Sequence, residues 1–76
     1  MSAERATDPT RQMILHFLSD SEWRSHSEVV AHMRGLTTEY WIRLTLGAIA
    51  MGGDALIAAE SRRGKHGRMA MHYRLR

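Results

Sequence analysis

The sequence predicts a small α+β domain in which three short helices and a short strand precede a C-terminal β-hairpin, and three observations carry that expectation. First, the last stretch alternates strictly: Met69, Met71, Tyr73 and Leu75 fall on one face, and Arg68, Ala70, His72, Arg74 and Arg76 on the other. A two-residue apolar period is the mark of a half-buried strand. Second, Leu56-Ile57-Ala58-Ala59 starts an extended run, and Arg62-Arg63-Gly64-Lys65-His66-Gly67-Arg68 supplies the turn that returns it. Glycines 64 and 67 permit the tight reversal. Third, apolar residues upstream recur at helical spacing and are punctuated by capping residues.

Taken in order, residues 1–7 read as a loose arm, and Asp8-Pro9 starts a helix. The aspartate can accept a hydrogen bond at the cap, and proline at the first helical position loses no useful N–H. Met13, Ile14, Phe17 and Leu18 give that helix one apolar face over 9–19, and Ser19-Asp20-Ser21 ends it. Glu22-Trp23-Arg24-Ser25 suits a short extended segment. Ser25 with Glu28 three residues later forms a capping box for a second helix carrying Val29, Val30 and Met33, closed by Gly35. Thr37 or Thr38 caps a third helix over 38–51, Glu39 suits its first turn, and Gly52-Gly53-Asp54 stops it.

The third helix is apolar nearly all round. Tyr40, Leu44, Ala48 and Met51 form a stripe expected to face the first two helices, which leaves Trp41, Ile42, Leu46 and Ile49 largely off it. A helix hydrophobic on more than one side is usually covered on more than one side. Those four residues are therefore the expected dimer interface, or the seat of a protein partner on the third helix.

Size and composition narrow the function classes. A chain of 76 residues makes one domain, 8–76 here, whose core is marginal, and domains without staples often gain stability by associating. There is no cysteine, hence no disulfide framework, thiolate site or cysteine nucleophile, which fits a reducing cytoplasm. No signal-peptide core is visible, and the longest apolar run, Leu44 to Met51, falls far short of the roughly 20 residues a membrane span needs. The formal charge is only +3, but it is segregated. Arg62, Arg63, Lys65, Arg68, Arg74 and Arg76 crowd residues 61–76, where there is no acid; all eight acids lie upstream. Such asymmetry is the footprint of a polyanion binder.

Other chemistries find little support. Histidines 16, 26, 32, 66 and 72 contain no pair four apart and have no cysteine beside them, so no metal site or cofactor is expected. Gly64-Lys65-His66 lacks the Ser or Thr of a phosphate-binding loop, no serine sits in a nucleophile elbow, and the acids form no convergent pair. Enzymatic activity is not expected.

From Asp8 to Arg76 the order of elements resembles the winged helix-turn-helix domains of bacterial transcription regulators. The matching pieces are Trp23-Arg24-Ser25-His26-Ser27-Glu28-Val29-Val30 at the entry of the second helix, Gly35-Leu36-Thr37-Thr38 at the turn, Leu56-Ile57 opening the hairpin and Tyr73-Arg74-Leu75 closing it. The resemblance implies that the third helix enters the major groove of double-stranded DNA while the hairpin, or wing, reaches phosphate or the minor groove. Carried onto this sequence, Arg62, Arg63, Lys65, His66 and Arg68 contact the backbone, Arg43 is the best candidate for bidentate guanine readout, and Ser27, Thr37, Thr38, Tyr40 and Thr45 complete the set. The implied function is a small, homodimeric, sequence-specific transcription regulator. The competing expectation is a winged-helix interaction module with weak or no nucleic-acid binding, because the third helix carries so few polar groups.

Overall fold

Pro9 opens the first helix of the computed structural model, which describes residues 9–76; the Asp8 cap and the arm over 1–7 lie outside the described residues. The elements run α1 (Pro9–Phe17), β1 (Arg24–Ser25), α2 (His26–Met33), α3 (Glu39–Ala50), β2 (Ile57–Arg63) and β3 (Met69–Leu75). Helix α1 ends two residues before the expected 19, but the Leu18 amide still donates to the Ile14 carbonyl at 2.9 Å, which keeps Leu18 turned inward. Ser21 then reverses the chain with a φ of 62°.

Helix α2 begins on the expected capping box. The Ser25 Oγ accepts from the Glu28 amide at 3.1 Å, and the Glu28 carboxylate accepts from the Ser25 amide at 2.9 Å. Gly35, at φ 89°, supplies the left-handed residue after α2. Thr38 caps α3 by accepting from the Trp41 amide at 3.4 Å. The turn before it is tied to α1, because the hydroxyls of Thr37 and the fully buried Thr10 lie 3.2 Å apart.

The three strands form one antiparallel sheet in the order β1-β3-β2. β2 and β3 pair from Ile57 opposite Leu75 to Arg63 opposite Met69, and β1 adds Arg24 opposite Tyr73 and Ser25 opposite His72. The strand alternation expected from sequence holds, with Tyr73 buried and Met71 and Leu75 packed against the core. Met69 has run past the helices and is exposed.

The core joins Ile14 and Leu18 of α1, Val29 and Met33 of α2, Ile42, Leu46 and Ile49 of α3, Ile57 of β2 and Tyr73 of β3. Here the expected orientation of α3 is corrected. Ile42, Leu46 and Ile49 are at most 2% exposed, whereas Tyr40 is 66% and Met51 88% exposed. Ile42, Leu46 and Ile49 are therefore not available to a dimer interface; of that expected set only Trp41 remains on the surface. The reason is that α3 carries two stripes of helical period side by side, and periodicity cannot rank them. Packing does: Ile42, Leu46 and Ile49, all purely aliphatic and close in size, go inside, and the stripe that mixes a phenol, a small alanine and a flexible thioether stays out.

One ion pair locks the far end of the domain. Arg11 of α1 grips Asp54, in the loop between α3 and β2, with Nε to Oδ2 at 2.7 Å and Nη2 to Oδ1 at 3.1 Å. The same carboxylate accepts from the Leu56 amide at 2.9 Å, setting the entry to β2.

Candidate nucleic-acid interface

The N-terminus of α2 lies between the two parts of the molecule that the sequence marks as candidates for DNA. On one side stands the hairpin tip. Its loop is closed by the Gly64 amide donating to the Arg68 carbonyl at 2.8 Å and the Gly67 amide to the Gly64 carbonyl at 3.0 Å. Gly67 takes a φ of 81°, a conformation that glycine alone adopts at little cost. This loop bends Lys65, His66 and Arg68 around an open cleft of about 420 Å³ whose opposite wall is Ser27 and Glu28 of α2. On the other side stands α3, where Arg43 and Glu39 share a depression with His26, the first residue of α2.

Electrostatics inside the cleft are partly settled within the domain. The Ser25 amide, above all, holds the Glu28 carboxyl below the ordinary carboxylate range, with the Arg24 and Lys65 charges adding to it. Glu28 is thus committed as a helix-cap anion beside Lys65. Arg68 and His66 have no side-chain hydrogen-bond or ion-pair partner among the described residues. Nor does Arg43, which is exposed on α3.

The other two arginines of the hairpin arm are already engaged. The Arg62 guanidinium lies 4.7 Å from the centre of the Trp23 ring, which the Arg74 guanidinium also approaches, to 4.6 Å. Arg62 also donates to Glu60 at 2.9 Å. These residues share the outer face of the sheet, where Arg62 stands opposite Ala70, and Arg74 opposite Ala58. Arg63 closes the hairpin end instead, donating from Nη1 to the Gly67 carbonyl at 2.7 Å. Arg62 and Arg63 are therefore structural cations first, which leaves Lys65 and Arg68 as the candidates for the phosphate contacts expected of all four.

The remaining expected residues divide. Ser27 joins the hairpin cleft. Tyr40 is exposed and sits beside Arg43, edge-on to Trp41 with ring centres 5.4 Å apart. Thr38 spends its oxygen on the α3 cap. Two residues are moved off this face: Thr37 is half-buried and turned to Thr10, and Thr45 lies on the opposite flank of α3, in a groove shared with Arg11 and Trp41. An α-helix turns about 100° per residue, so Arg43 and Thr45 cannot share a flank.

Two histidines enter the site to which motif reading assigns no role. The Nδ1 of His26 is 3.0 Å from the hydroxyl of the buried Tyr73, whose pKa burial raises above its usual value. His72, on the polar side of the strand alternation, is 8% exposed and lines the floor of the cleft, with Nδ1 2.9 Å from the Ala70 carbonyl. The strand pattern gives His72 its face, but nothing local foretells that Ser25 of β1 pairs beside it and that α2 walls the cleft around it.

Among the described residues there is no group of three or more His, Asp or Glu side chains placed to hold a metal ion, and no helix is long and apolar enough to cross a membrane. No protein family model matches the chain, and neither a curated protein nor a solved structure is significantly similar to it.

Proposed function

We propose that this chain is a winged-helix protein that binds double-stranded DNA in the manner of a small transcription regulator. The observation that carries the reading is the placement of Lys65, His66 and Arg68 on one side of the α2 N-terminus and of Arg43 and Tyr40 on the other. A phosphate backbone running past Ser27 meets the wing cations, while α3 offers Arg43 to base edges. Helix α2 contributes the positive end of its dipole at the same place.

The cations at the wing tip supply affinity by releasing counterions, which fixes how the reading is tested. Replacing Lys65 and Arg68 together by alanine is expected to weaken duplex binding and to flatten the plot of log K against log salt by about 0.9 for each phosphate no longer neutralised. Equilibrium binding to duplexes selected from a random pool, measured from low to high salt, decides it. An unchanged affinity and slope would remove the wing from the interface. The exposed apolar flank of α3 favours an additional role in protein association, and it has its own geometry.

A further inference from the structure

We infer that the outward apolar flank of α3 is a self-association surface, on which a second copy of this chain packs its own α3 antiparallel to the first. The flank consists of Trp41, Leu44, Ala48 and Met51, spaced three, four and three residues apart, which is the spacing of a two-heptad helix seam. Trp41 is 41%, Leu44 44% and Met51 88% exposed, and nothing within the described residues covers them.

The shape of the flank points to a copy of itself as the occupant. In an antiparallel two-fold pairing centred between Leu44 and Ala48, Leu44 meets Ala48 of the other copy, and Trp41 meets Met51. Met51 is the most exposed large hydrophobic residue described, and Trp41 and Leu44 border a groove of about 290 Å³ that Ala48 and Ile49 also line and that reaches Gly53 and Asp54. In this register each copy sets its Met51 against the Trp41 of the other, so every contact is made twice, as a two-fold pairing requires. Gly47, beside the axis, meets no atom within 4 Å where a Cβ would stand, which allows close approach. With Tyr40 at its edge, the flank offers on the order of 500 Å² of surface per copy. Pairing two copies removes on the order of 1,000 Å², the lower bound of a specific interface.

The pairing leaves Arg43 and the wing open and takes only Tyr40 of the candidate DNA face to its edge. Arg43 lies about 120° around α3 from the middle of the stripe, toward α2 and the wing. The inference goes beyond DNA binding and is tested without DNA, so a failure here leaves the reading of the wing untouched.

Sedimentation equilibrium of the full chain is expected to show a dimer at micromolar concentration. Trp41→Glu and Met51→Glu should each raise the dissociation constant on the order of 100-fold, with the helical circular dichroism unchanged. The register has its own check, because the chain has no cysteine. A mixture of Leu44→Cys and Ala48→Cys chains is expected to form the mixed disulfide dimer faster than either variant links to itself. A wild-type chain that remains monomeric, glutamate variants that dimerise normally, or Leu44→Cys that links to itself as fast as the mixture would each overturn the proposal.

Discussion

In the proposed DNA-binding reading, base readout would hinge on Arg43, because it is the only arginine of α3 and lies beside the N-terminus of α2, across from the wing cleft. If its guanidinium takes a guanine edge, Arg43→Ala is expected to cost about 1–3 kcal/mol on a selected duplex and much less on random DNA. Titration of both duplexes with the variant checks this, and an equal loss on both would make Arg43 a phosphate contact. Arg62 behaves differently despite its place in the hairpin. Because it stacks on Trp23 and pairs with Glu60, Arg62→Ala is expected to lower the unfolding midpoint more than it changes the salt dependence of DNA binding.

At the scale of the element, the orientation of α3 is the sharpest finding, and it gives two leucines of one helix opposite fates. Leu46 is 1% exposed and Leu44 44%. Leu46→Ala is expected to destabilise the fold by about 2–5 kcal/mol, while Leu44→Ala stays within about 0.5 kcal/mol in the monomer; urea unfolding of the two variants at low protein concentration measures the contrast. The same helix shows what sequence can and cannot disclose. Its start at Thr38, its stop at the glycines, the Ser25–Glu28 box and the alternation of β3 are local chemistry, legible over a few residues, and all appear in the structure. Which side of α3 faces inward is decided by volumes on α1, α2 and the sheet, which no window along α3 contains. The site divides likewise. Lys65, His66 and Arg68 announce themselves as a basic turn, but the diversion of Arg62 to Trp23, far upstream in the chain, is a tertiary event. So is the turning of Thr37 toward Thr10, and the burial of His72 beside β1 in the cleft that α2 walls.

At the scale of the whole molecule, stability rests on a small core and a few long-range ties, of which Arg11 to Asp54 joins the first helix to the entry of the hairpin. The Arg11 guanidinium, by its hydrogen bonds, holds the Asp54 carboxyl below the ordinary carboxylate range, and the Leu56 amide assists. A carboxyl whose pKa is lowered by folding contributes its stabilisation in full above the unfolded value of about 4, and loses it as pH falls through the lower folded value. Thermal midpoints are therefore expected to fall steeply below about pH 4. Asp54→Asn should cost about 1–2 kcal/mol at neutral pH, since Arg11 is partly exposed, and should flatten that acid limb. An Asn variant with an unchanged acid limb would show that other carboxyls, Glu28 among them, govern it.

The seating of Arg62 and Arg74 on Trp23 also gives the molecule a built-in optical reporter. One indole sits at the root of the hairpin and the other, Trp41, on the far flank of α3, so their emission reports separate events. Quenching and spectral shifts that survive in a Trp41→Phe chain arise from the hairpin root, and those that survive in a Trp23→Phe chain arise from the outer flank of α3. A single fluorimeter titration with duplex, repeated in these two variants, would separate events at the hairpin from events on the α3 flank without any attached label.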